Sequence, residues 1–141
     1  LSGTAIVGAS DAGIAAFSEG TTADISGTLV YGVTLAKEIG FGLIGVDGPV
    51  VHIIGSEFAK CDGVGVGFGG ARALVASSVI ADNAVGLATS DDTTLQEVQS
   101  TPDSIGDDTV VVTADTAFIG NQTRVTAGTL PLPAQSKNPS K

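Results

Sequence analysis

The 141-residue chain has no methionine and no tryptophan, and it holds one tyrosine, five phenylalanines, one histidine and one cysteine. Too few large apolar side chains remain to fill a wide globular core, which leans on Leu, Phe and Met. The lone Cys61 excludes an internal disulfide and has no partner set for a metal site or a nucleophile, so it reads as a small apolar filler. His52, flanked by Val51, Ile53 and Ile54, reads as an outward decoration of a strand. Positive charge is scarce too: six Lys and Arg stand against fifteen Asp and Glu, a net charge of −9. From Arg72 to Arg124 no Lys or Arg occurs, while Asp82, Asp91, Asp92, Glu97, Asp103, Asp107, Asp108 and Asp115 all fall there. This balance argues against nucleic acid and anionic polysaccharide as electrostatic partners. No run approaches the roughly 20 apolar residues of a membrane-spanning helix.

Small and β-branched residues are what the chain does contain: Gly, Ala, Val and Thr make up almost half of it. Such residues suit a narrow interior filled in stacked rows. One segment also returns, as Leu35-Ala-Lys-Glu-Ile-Gly-Phe-Gly-Leu43, then Phe58-Ala-Lys-Cys-Asp-Gly-Val-Gly-Val66, then Ile80-Ala-Asp-Asn-Ala-Val-Gly-Leu87. A large apolar residue recurs at 35, 58 and 80, a glycine at 42, 65 and 86, and an apolar residue at 43, 66 and 87. A period of 21 to 23 residues without helical patterning predicts a solenoid of roughly five to six coils.

Within each coil the reading is all-β. Gly32–Leu35, Val50–Ile54, Ala73–Ala76 and Thr109–Thr113 are short apolar runs bounded by turn residues. A second strand per coil is expected at 42–44, 65–66 and 86–88. Stacking then places Leu35, Phe58 and Ile80 in one internal column and Leu43, Val66 and Leu87 in another. Gly42, Gly65 and Gly86 are read as structural, required by a positive φ or by close approach of the next coil. The glycine-dense Gly63–Gly70 stretch lacks the Lys-Ser/Thr pair and helix start of a phosphate loop. Ala36, Ala59 and Ala81 follow the large residue, and Lys37, Lys60 and Asp82 are placed outside, since stacked ammonium groups do not share a dry interior. Asn83 aligns with Cys61 and Glu38 and is read as a turn residue satisfying backbone groups.

The pattern of Ile80-Ala-Asp-Asn-Ala-Val-Gly-Leu87, shortened in Ile6-Val-Gly-Ala-Ser-Asp-Ala-Gly-Ile14, resembles the repeats of right-handed parallel β-helix proteins of the pectate-lyase-like superfamily. The likeness covers residues 3 to 88 and extends loosely over 109 to 128. It implies a right-handed, single-stranded parallel β-helix over 1–128; residues 89–108, which break the period and carry Pro102, read as an excursion, and the proline-rich polar 129–141 as a tail. Carbohydrate lyases of that superfamily hold Ca²⁺ on acidic side chains beside an Arg or Lys base, and its hydrolases use clustered aspartates.

The residues do not reproduce that chemistry. Val, Thr, Ser and Gly occupy the exposed strand positions, Arg72 and Arg124 stand alone in sequence, and aromatic platforms for sugars are scarce. No catalytic residue is assigned; the residual arrangement would set Asp82 and Asp91/Asp92 against Arg72. The pairs Asp91-Asp92 and Asp107-Asp108 supply oxygen ligands that Ca²⁺ takes, outside any EF-hand or Gly-Gly-x-Gly-x-Asp motif. Otherwise no cofactor is implied.

The leading expectation is a non-catalytic spacer or adhesin-type module of a bacterial extracellular or cell-envelope protein. A carbohydrate-active lyase or hydrolase fragment is the alternative. A chain opening at Leu1 inside a repeat reads as a piece of a longer one. Its uncapped first coil is expected to meet the remainder of that chain or a matching subunit, with protein or carbohydrate as ligand. Thr does not recur at one repeat position, which sets aside an ice-binding face. Asn121-Gln-Thr123 forms a glycosylation sequon.

Overall fold

A computed structural model describes residues 1–34, 40–128 and 130. Fifteen strands in these residues form three five-stranded sheets, and every pairing is parallel. The first coil is β1 (Ala5–Val7), β2 (Ala12–Phe17) and β3 (Thr22–Ser26); the second is β4 (Leu29–Tyr31), β5 (Phe41–Val46) and β6 (Val50–Ile54). The third is β7 (Glu57–Ala59), β8 (Val64–Gly69) and β9 (Arg72–Ala76). After β10 (Val79–Ala81) and β11 (Val85–Thr89) come β12 (Thr94–Val98), β13 (Thr109–Thr113), β14 (Ala117–Ile119) and β15 (Thr123–Ala127). The result is a three-sided parallel β-helix of five coils.

Each coil thus has three strands where the sequence pattern indicated two. The additional one is the three-residue strand of the first sheet, β1-β4-β7-β10-β14. A strand that short sends one residue inward, so no alternation betrays it. Its inward residues form the column Ile6, Val30, Phe58, Ile80 and Phe118. Val30 is the residue facing Phe58; the expected Leu35, with Ala36, Lys37 and Glu38, lies outside the described residues. The second sheet, β2-β5-β8-β11-β15, supplies Ile14, Leu43, Val66, Leu87 and Val125 in register, as the repeat predicts for 43, 66 and 87. The third sheet, β3-β6-β9-β13-β12, sends in Ala23, Val51, Ala73, Val110 and Leu95. One core cluster joins these columns, and Val30, Leu43, Phe58, Val66, Ile80 and Leu87 are fully buried in it.

The glycine column runs Gly13, Gly42, Gly65, Gly86 through the second sheet, and the cause is proximity rather than φ. A Cβ at Gly13 would sit 2.8 Å from the Gly42 carbonyl oxygen, one at Gly65 would sit 2.8 Å from that of Gly86, and one at Gly42 would be closer still to that of Gly65. Left-handed backbone is needed instead at the corner after the first sheet, where Gly8, Gly32, Lys60, Asp82 and Gly120 take φ between 53° and 69°.

The 89–108 excursion carries a strand of its own. β12 pairs with the later β13, which itself lies against β9, so β13 is inserted between two strands that precede it in the chain. β12 thereby becomes the third side of the last coil. Ile105 folds back onto the outside of this sheet, against Leu74, Ala76 and Val111.

Candidate functional sites on the solenoid

Two ladders of polar side chains run along the corners that flank the first sheet. At one, the Ser56 hydroxyl accepts from the Thr28 N–H (3.1 Å), the Ser78 hydroxyl from the Ser56 N–H (3.2 Å) and the Thr116 hydroxyl from the Ser78 N–H (3.5 Å). The hydroxyls of Thr28, Ser56 and Ser78 donate to the carbonyls of Ser26, Ile54 and Ala76, two residues back in each case. These side chains are buried, and each bond satisfies a backbone group that a tight corner strips of water. The sequence signal for this ladder is a Ser or Thr two residues before each inward apolar residue: Thr4 and Ile6, Thr28 and Val30, Ser56 and Phe58, Ser78 and Ile80, Thr116 and Phe118. This signal lies outside the glycine-centred repeat.

At the other corner Asn83 does what its place in the repeat predicts. Its Oδ1 accepts from the Cys61 N–H (2.9 Å) and its Nδ2 donates to the Phe58 carbonyl (3.1 Å). Asn121 continues the column, accepting from the Asn83 N–H (3.0 Å) and donating to the Ile80 carbonyl (2.8 Å). The sequon asparagine is thus engaged in the corner. Cys61, one coil before Asn83, is buried, and burial pushes its thiol up to about 11, so the nucleophilic thiolate is scarce at neutral pH.

Charged groups sit on different edges. Asp91 and Asp92 line a shallow hollow with Asp47, Ser90 and Leu130, where the Ser90 hydroxyl hydrogen-bonds Asp92. Asp107 and Asp108 line the adjoining hollow with Glu19 and Arg72, and Asp107 is ion-paired to Arg72. The two acidic pairs considered for Ca²⁺ therefore open on separate hollows. Among the described residues no group of three or more His, Cys, Asp and Glu side chains is gathered to hold a metal. Asp82 lies at another corner, against Gly120 and away from the Arg72 hollow, so Asp82, Asp91/Asp92 and Arg72 do not converge.

The remaining titratable groups are used locally. His52 points outward from the third sheet and pairs with Asp24 on the preceding coil at 2.7 Å. The Ser77 hydroxyl and N–H and the Thr113 hydroxyl bond Asp115 and hold its carboxyl below the usual carboxylate range. The Lys60 ammonium lies 5.5 Å above the Tyr31 ring, and a hydrogen bond to that side chain raises its pKa. Gly63–Gly70 spans strand β8, with the Phe41 ring over Gly67, so its glycines serve packing.

The three outer surfaces differ. The second sheet carries a small core on its outside, formed by Phe41, Ile44, Val46, Val64, Ala88 and Leu130. The first sheet faces outward with the rows Ala5, Leu29, Glu57, Val79, Ala117 and Val7, Tyr31, Ala59, Ala81, Ile119. Glu57 is the one charged member of these rows, and Val7 (67%), Ile119 (56%) and Tyr31 (37%) are exposed.

None of the described residues forms a helix long and apolar enough to cross a membrane. No protein-family model, curated protein or solved structure matches the chain.

Proposed function

We propose that this chain is a non-catalytic structural and interaction module of a bacterial extracellular or cell-envelope protein, a rigid β-helix spacer with an adhesin-type surface. The observation that carries the reading is the apolar outer side of the first sheet. Its two rows hold one charge, and Val7, Tyr31 and Ile119 stand exposed along the second row. Val7 and Tyr31 are neighbours in that row, with the buried Ala59 and Ala81 between them and Ile119, and adjoining exposed apolar side chains mark contact sites. The polar side chains support the same reading by serving the frame: Asn83, Asn121 and the hydroxyl ladder satisfy backbone, and Arg72 is matched by Asp107.

The test is incubation with polygalacturonate, alginate and neutral glycans, with and without Ca²⁺, read by absorbance of unsaturated uronate and by new reducing ends. No product is expected. Turnover of any of these polymers would replace this reading with that of a carbohydrate lyase or hydrolase, and loss of that turnover in Arg72→Ala would locate it.

A further inference from the structure

The two ends of the solenoid are built differently. At the C-terminal end, register places Arg124 in the glycine column directly after Gly86. Its guanidinium lies 4.5 Å over the Phe118 ring and is ion-paired to Glu97 of β12. Glu97 stands opposite Val112, in the inward column Ile25, Ile53, Val75 and Val112 of the third sheet, so the ion pair spans this end from the second sheet to the third. At the N-terminal end the columns finish in Ile6, Ile14 and Ala23, all apolar and only partly buried.

This asymmetry has a steric basis. Every glycine of the column lies against the carbonyl oxygen of the following coil, and a Cβ at Gly86 would come within 2.7 Å of the Arg124 oxygen. A coil stacked beyond Arg124 would bring its own carbonyl to that distance from the Arg124 Cβ. At the other end the first carbonyl of the column belongs to Gly13 and is available to a preceding coil that has glycine in the matching place. The β1 edge is also free to pair: Thr4 gives its carbonyl to Leu29 N–H and Gly8 gives its N–H to Tyr31, so residues 4, 6 and 8 face β4 while Ala5 and Val7 face away. Leu1 and Ser2 hold the end of the β3 edge, with Ser2 bridged to Ser26, which leaves β1 and β2 as the open sides.

The geometry points to a one-sided docking edge: β1 and β2 accept strands of another parallel β-helix coil that carries glycine against the Gly13 carbonyl, and Arg124 prevents a second copy of this chain from filling that role. The inference rests on reading the chain as an interaction module and names the partner's chemistry, since only a glycine coil fits and this chain's own last coil does not. The arginine therefore separates joining a different coil from polymerising head to tail.

Sedimentation velocity over a concentration series tests this with Arg124→Gly, Arg124→Ala and the double variant R124G/V7P, each checked for fold by circular dichroism. The wild type and R124A are expected to stay monomeric, because alanine keeps the obstructing Cβ. R124G is expected to form species of two or more copies, the incoming β12 displacing Leu1 and Ser2 from β3. V7P should return R124G to a monomer, because proline at an edge position facing away from β4 blocks strand addition without costing a ladder bond. Association of R124A to the same extent as R124G would overturn the steric rule, and a folded R124G that stays monomeric would overturn the open edge. Should R124G fail to fold, head-to-tail association of the wild type is the overturning result. Polysaccharide turnover would sink the functional reading while leaving these outcomes untouched.

Discussion

The first and second sheets line the same interior, yet their outer sides are covered to different extents. β5 is buried along its whole length, with Phe41, Ile44 and Val46 in a second core outside the solenoid, whereas Val7, Tyr31 and Ile119 of the first sheet remain exposed. Inward packing is a property of the repeat, shared by the coils between the two ends. Outward packing belongs to individual residues, and it sets which side is left for contact.

The largest effect that would break this contrast is expected from Gly42→Ala in the second sheet. Its Cβ would collide with the Gly65 carbonyl and lie 3.0 Å from the Phe58 ring, and overpacking against backbone costs about 3 kcal/mol or more. Chemical denaturation should show it as a large drop in midpoint; a midpoint within error of the wild type would mean that the coils are not in contact there. Next comes the direct comparison of Ile44→Ala with Ile119→Ala. Ile44 is fully buried on the outside of its sheet and Ile119 is 56% exposed, so the first should cost about 3 kcal/mol and the second about 0.5 kcal/mol or less. Equal losses would show that the two outer sides are not different.

The smallest effect concerns Cys61 behind the first sheet. Its folded pKa, about 11, is raised above the ordinary thiol value of 9.0, so the fold favours the neutral thiol. The contribution is present in full below 9.0 and is lost as pH climbs from there toward 11. Thermal melts of the wild type should fall more steeply across that window than those of Cys61→Ala, and parallel curves would assign the thiol no part.

Legibility in the sequence followed the uninterrupted part of the repeat. Between Gly42 and Leu87 the spacing stays within 21 to 23 residues, so the glycines and Leu43, Val66 and Leu87 were readable, as was Asn83. Upstream the spacing lengthens, with Leu29 pairing Glu57 at 28 residues where Glu57 pairs Val79 at 22, and the residue beside Phe58 is Val30, which stands outside the repeated segment. Candidate sites were less readable for a different reason. Adjacent aspartates in sequence, as at 91–92 and 107–108, say nothing of which hollow each pair lines, and the Arg72 to Asp107 contact bridges 35 residues. The ion pair between Arg124 and Glu97 depends on β12 crossing to the last coil, a placement that no local pattern announces.

That crossing has a consequence for biosynthesis. A ribosome releases Thr94–Val98 before Thr109–Thr113, yet the earlier segment must end up outside the later one. When β12 emerges, the edge of β9 that β13 will occupy is still unpaired, because the apolar Val110-Val111-Val112 has yet to arrive. The first three coils can be laid down vectorially, each on its predecessor, while the fourth waits until Thr113 has left the exit tunnel. Order of synthesis and order of stacking part company at one point in the chain, and while only the residues before Thr109 have emerged, β12 has no strand of its native sheet to pair with.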